Sequence, residues 1–182
     1  MLVREFDKDV VKNYYAEIGV EEYLLHYRDA ERFIKLCKEC RNYGRRYGCP
    51  PFDYDVRERI MRYNRVKIFG TQLFIKDAQV GVRELNRFMQ PMVLQQNERL
   101  LELEKQHNGF ACGFVGECPY CTEPCARLEG KPCRNFDKVR PSLEALGFDM
   151  VKTSKELLGV EIKWATAAHK PDYLMLICGL FY

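Results

Sequence analysis

The sequence reads as an α+β protein, a small β-sheet packed with helices and carrying cysteine-rich loops. Apolar stretches of strand character at 65–75, 109–115 and 173–182 alternate with amphipathic helical stretches. The 182 residues, 47% hydrophobic and 30% charged, match one globular unit with a sizeable core. Seven of the nine cysteines fall in two short segments broken by Gly and Pro. The expected organisation is a single domain over 1–182. Its N-terminal helical region leads into a loop with Cys37, Cys40 and Cys49, and its sheet-and-helix core over 62–182 carries the loop from Cys118 to Cys133.

The elements follow in order. From Lys8 to about Lys38 the periodicity predicts helix in two pieces, parted near Gly19. Tyr14, Tyr15 and Ile18 share a face of the first, and Tyr23, Leu24, Tyr27, Ala30, Phe33, Ile34 and Cys37 recur at three- and four-residue spacing in the second. RNYGRRYGCPPFDYD is rich in Gly, Pro and Asp and forms a structured loop. A short helix over Val56 to Met61 precedes a strand, RVKIFGTQLFI. Asp77 to about Gln106 predicts a long amphipathic helix with Leu85, Phe88, Met89, Met92 and Val93 on one face; Pro91 should kink it, because it removes a backbone donor. GFACGFV is a second strand that delivers the chain into the four-cysteine loop. PSLEALG, with Pro near its start and Gly at its end, and VKTSKELLG predict short helices; Glu144 in the first is expected to bond a loop amide. Pro171 precedes the final strand.

Bulk charge excludes some functions. The 29 basic and 26 acidic side chains nearly cancel, leaving +3, so charge alone implies no nucleic-acid partner. The longest apolar run, Tyr173 to Tyr182, is about half of the roughly 20 residues a membrane span needs. The first residues, MLVREFDKDVVKNYY, carry both charge signs and no apolar signal region. The expectation is a cytoplasmic, reducing setting with no membrane span. Phosphate-binding glycine loops, nucleophile elbows, zinc-protease helices and dinucleotide fingerprints are all missing from the sequence.

The cysteines therefore carry the chemistry. A reducing compartment and an odd count argue against a disulfide scaffold. Cys178, inside LMLICGLFY, and Cys112 read as small buried hydrophobes. The second group, Cys118-x2-Cys121-x3-Cys125-x7-Cys133, is a four-sulfur set whose x2 gap turns two thiols onto one centre. Tetrahedral zinc and a four-iron cluster both accept four thiolates. Structural zinc favours two separated C-x2-C pairs, whereas this loop crowds three cysteines into eight positions, closer to the ferredoxin habit. The first group, Cys37-x2-Cys40-x8-Cys49 followed by Pro50 and Pro51, supplies only three thiolates. Its fourth position is left to a ligand from elsewhere, among Cys112, His26, His107 and His169, or to an open iron, or to zinc with water or histidine. Lys38, Arg41, Arg45 and Arg46 flank the first group, and Arg127, Lys131 and Arg134 the second. Cations near a thiolate-ligated cluster raise its potential.

The ordered motifs Cys37-x2-Cys40-x2-Tyr43-Gly44, Cys49-Pro50-Pro51, Cys118-x2-Cys121-x3-Cys125, Cys133-Arg134, Arg140-Pro141-Ser142-Leu143-Glu144-Ala145 and Gly147-Phe148-Asp149 resemble the family DUF2284, predicted metal-binding proteins of anaerobic bacteria and archaea. The resemblance runs from about residue 35 to the C-terminus, and the chain departs from it at Cys112, at Leu146 and in a Gly-poor approach to Cys118. It implies metal binding, iron–sulfur above all, by the seven grouped cysteines.

The function expected is therefore an iron–sulfur protein with one or two [4Fe-4S] clusters, a four-cysteine site and a second three-cysteine site, passing electrons to or within a redox enzyme complex. Two alternatives stand beside it: a redox enzyme or maturation factor with an open-iron cluster, and a zinc-stabilised interaction module. The sequence names no reaction, and no catalytic residue is assigned.

Overall fold

A computed structural model describes residues 11–75, 82–114, 116, 118–164 and 171–182. Four strands form one sheet: β1 (Val11–Gly19), β2 (Arg65–Phe74), β3 (Phe110–Cys112) and β4 (Tyr173–Phe181), in the order β1-β2-β4-β3 with every neighbouring pair antiparallel. Helices α1 (Val20–Tyr27) and α2 (Ala30–Glu39) follow β1, α3 (Val56–Ile60) precedes β2, the long α4 (Val82–His107) joins β2 to β3, and α5 (Met150–Thr153) precedes β4. The α+β class holds.

The N-terminal stretch corrects the helical expectation, because Val11–Gly19 is a strand paired along its whole length with β2, from Val11 opposite Leu73 to Gly19 opposite Arg65. Tyr14, Ala16 and Ile18 turn toward the core, while Tyr15 stands 79% exposed on the other face. The residues fit both periods. The edge of β2 offers unpaired backbone groups that a strand satisfies and a helix would leave exposed to solvent or buried alone.

The sheet is covered on both faces. Ile18, Val66, Ile68, Phe110, Ile177 and Phe181 project to one side, onto Tyr23 and Tyr27 of α1 and onto Leu143, Leu146 and Phe148. The rings of Tyr23 and Phe148 stack at 4.4 Å, and the Tyr23 hydroxyl shares a buried hydrogen bond of 3.1 Å with Thr153. Ala111, Cys178 and Leu180 project to the other side, where Leu100 and Leu103 of α4 meet them. A polar chain crosses the same side: Gln96 donates to Thr71 at 2.9 Å, and Thr71 donates to Asn13 at 2.9 Å. Cys112 and Cys178 are both buried apolar fillers, as expected of them.

Smaller differences follow from local chemistry. α4 contains Pro91 and buries Met92, and the side chains of Leu85 and Phe88 fall outside the described residues, as do the start expected at Asp77 and His169. PSLEALG forms only a 3-10 turn, Glu144–Leu146, closed by Gly147 at φ 94°. VKTSKELLG splits into α5 and a wide π turn, Ser154–Leu158, and Ser154 ties the chain beyond it by donating its hydroxyl to the Val160 carbonyl at 2.7 Å.

Candidate functional site

Helix α2 starts at Asp29, whose side chain accepts the Arg32 amide at 3.0 Å, and it ends where the Cys40 amide bonds the Cys37 carbonyl at 3.0 Å. Cys37 and Cys40 thus leave the helix end in successive turns. The loop folds back through the Gly44 amide on the Pro50 carbonyl, 2.8 Å, and the Cys49 amide on the Arg46 carbonyl, 3.1 Å. Gly44, at φ 67°, takes the left-handed conformation that this reversal requires. Cys37, Cys40 and Cys49 consequently line one cavity of about 200 Å³. Cys40 is exposed at its edge, while burial and neighbouring thiols push the Cys37 and Cys49 thiols above their usual range.

The second group closes round a separate cavity, lined by Cys118, Cys121, Cys125 and Cys133. A 3-10 turn, Ala126–Glu129, capped by left-handed Gly130, carries the chain between Cys125 and Cys133. Burial pushes the Cys118 and Cys133 thiols up, opposed by amides two residues on, from Tyr120 and Asn135 respectively. The Asn135 side chain donates to the Cys121 sulfur at 3.3 Å. Donors aimed at sulfur are what metal thiolates require around them, since they spread the negative charge that ligation concentrates there. The donor set fits a thiophilic metal centre.

One residue ties the two loops together. From the second loop, Arg127 donates to the carbonyls of Arg46 at 2.7 Å, Cys49 at 2.7 Å and Pro51 at 2.6 Å. Tyr47 returns the link by donating its hydroxyl to the Lys131 carbonyl. The far end of the second loop is moored by Arg140, which grips Glu104 of α4 through Nε at 2.8 Å and Nη2 at 2.5 Å, with side chains 22% and 14% exposed. Glu104 also accepts the Ala111 amide at 2.8 Å, so helix, strand and loop meet at one carboxylate. Arg134 holds the Pro124 carbonyl at 3.0 Å.

A family model described as "Predicted metal-binding protein (DUF2284)" matches residues 25–179. The chain belongs to this family. No curated protein and no solved structure matches it. Metal binding is thus the family's described property, and all seven grouped cysteines of this DUF2284 chain lie inside the matched region.

The fourth-ligand expectations for the first group fare differently from the cysteines. Cys112 packs in the core among apolar side chains, and His26 and His107 are exposed, with His107 against the Tyr182 ring at 5.0 Å; none of the three lines the cavity with Cys37. His169 lies outside the described residues. Glu144 lines that cavity instead, its Oε2 buried without a hydrogen-bond partner. Burial pushes its carboxyl up, opposed by its own amide and by Ser142. Among the described residues, no three His, Cys, Asp or Glu side chains stand close enough together to hold a single metal ion. Also among the described residues, no helix is long and apolar enough to cross a membrane. Asn135 and the Arg140–Glu104 pair escaped the sequence reading. The only signal for Asn135 was its position two residues after a cysteine, where a turn brings a side chain back.

Proposed function

We propose that this protein binds iron–sulfur clusters, one in the Cys118–Cys121–Cys125–Cys133 cavity and one at Cys37, Cys40 and Cys49, and passes electrons between them and a redox partner. The observation that carries the reading is the convergence of four thiols, supplied by sixteen consecutive residues, on one cavity with amide and Asn135 donors directed at the sulfurs. Spacing supports iron–sulfur over zinc. Structural zinc favours two separated C-x2-C pairs, whereas Cys118, Cys121 and Cys125 crowd into eight positions of one loop with Cys133 close behind, the habit of a loop that gives one thiolate to each iron of a cluster.

Such a group supplies one-electron chemistry when bound, and the chain supplies the conditions for it. Cys118 lines both cavities, so the two thiol sets adjoin. Cys40 stands exposed beside Lys38, Arg41, Arg45 and Arg46, which line the surface around it. A basic collar at the exposed edge of a redox centre suits an acidic partner protein.

Protein purified without oxygen should contain iron and acid-labile sulfide in equal amounts, roughly eight of each per chain if both sites hold four-iron clusters. Its broad visible absorption should bleach on reduction and return on oxidation. Stoichiometric zinc with no sulfide would overturn the proposal.

A further inference from the structure

The Glu144 carboxylate carries an oxygen buried without a partner. Its position is built, not incidental. The turn Glu144–Leu146 packs against α2, the helix that ends in Cys37 and Cys40. Arg28 donates to the Leu146 carbonyl at 2.8 Å, the Asp29 amide to the Gly147 carbonyl at 2.9 Å, and the Asp149 amide to the Tyr27 carbonyl at 2.8 Å. Gly147 permits the approach, for a Cβ there would lie 2.9 Å from the Ala30 Cα. On its other side the Gly113 amide bonds the Pro141 carbonyl at 2.8 Å, fixing the turn to β3. The segment therefore holds Glu144 in the wall of the cavity that Cys37, Cys40 and Cys49 line. A carboxyl oxygen buried with nothing bound to it is unfavourable in an apolar setting, so its persistence calls for a partner.

We infer that Glu144 is the fourth ligand of the three-cysteine centre, an oxygen donor completing a set of three thiolates. The inference rests on the iron–sulfur reading of that centre. Among the described residues, Glu144 is the one carboxylate or imidazole in the cavity wall. The other thiol there, Cys118, shares the second cavity with Cys121, Cys125 and Cys133 and is committed to that set. Ligation would take the Glu144 side chain as its carboxylate, any carboxyl proton passing to solvent, and the oxygen would replace a solvent ligand; no electrons move.

The test compares chains loaded with ferrous iron and sulfide without oxygen: wild type, Glu144→Gln, Glu144→Cys and Cys37→Ser. Glu144→Gln should lose about one iron per chain and show the paramagnetic resonance signature of a three-iron cluster, with the four-cysteine centre unchanged. Glu144→Cys should restore the lost iron, which a merely structural role would not do. Wild-type iron content and spectrum in Glu144→Gln, with loss of iron in Cys37→Ser, would overturn the ligand assignment and leave the iron–sulfur reading intact. Unchanged iron and sulfide in Cys37→Ser would overturn both. Should Glu144→Gln fail to fold, wild-type protein isotopically labelled at the glutamate carboxyl decides: a hyperfine coupling to the reduced cluster is expected, and its absence overturns the assignment.

Discussion

Asn135 contributes no metal-ligand chemistry, yet its side chain reaches both the Cys121 sulfur at 3.3 Å and the Tyr120 carbonyl at 3.5 Å. A donor to a ligating sulfur draws charge from the metal bond and fixes the sulfur's direction. Asn135→Leu keeps the branched side-chain shape and removes the donor. It should weaken metal retention against a competing chelator roughly tenfold, with little change in the far-ultraviolet circular dichroism. Unaltered retention would mean the contact orients nothing. The seven cysteines could be picked out of the sequence because thiol spacing is itself the signal. Asn135 and Glu144 could not be assigned roles in the same way. An asparagine near a cysteine is ordinary turn chemistry, and whether a carboxylate is solvated or stranded is decided only when residues far apart in sequence pack around it.

At the level of elements, the segment from Ser142 to Asp149 is the clamp between the first cysteine helix and the sheet. Its composition predicted a short helix between Pro141 and Gly147, where the chain makes only the turn Glu144–Leu146, and its role depends on α2 lying against it. Strand β1 shows the same limit from the other direction. Apolar residues at 14, 15 and 18 fit a helix and those at 14, 16 and 18 fit a strand; the free edge of β2, supplied from about 50 residues away in the register, chooses. By contrast β2, β4 and α4 were legible, because long runs of one period leave no competing reading. Gly147→Ala tests the clamp. Forcing a side chain into φ 94°, with its Cβ 2.9 Å from the Ala30 Cα, should destabilise the fold by about 1–3 kcal/mol and shift Glu144 relative to Cys37. Chemical denaturation should show the loss of stability, and metal analysis a larger loss at the three-cysteine centre than at the four-cysteine one. Arg127→Met tests the tie between the loops. Three carbonyls lose a charged donor, and the fold should lose about 2 kcal/mol, with faster hydrogen exchange confined to 46–51.

Across the whole molecule the sheet and the loops draw on different sources of stability. The sheet carries an apolar cluster on each face, one against α1 and the 143–148 segment and the other against α4, and neither cluster includes a grouped cysteine. The loop from Cys118 to Cys133 contributes one well-buried side chain, Ala126, and rests on turns, Arg127 and Arg140. Metal binding to such a loop is also folding energy, because the thiols are brought together only in the folded loop. Stabilisation by a bound ligand grows with its excess over the dissociation constant, reaching about 2.7 kcal/mol at a hundredfold excess. Stripping the metal with a chelator in the absence of oxygen should therefore lower the melting temperature without abolishing the cooperative transition. Hydrogen exchange should rise over 37–51 and 118–140 while the amides of β2 and β4 keep their protection. Because Arg127 and Tyr47 join the loops, Cys121→Ala, which removes a thiol from the second cavity alone, should also speed exchange in 46–51. Loss of protection throughout the sheet on chelation would show that the metal, rather than the two-faced apolar core, organises the fold; exchange unchanged in 46–51 after Cys121→Ala would show that the two centres form independently.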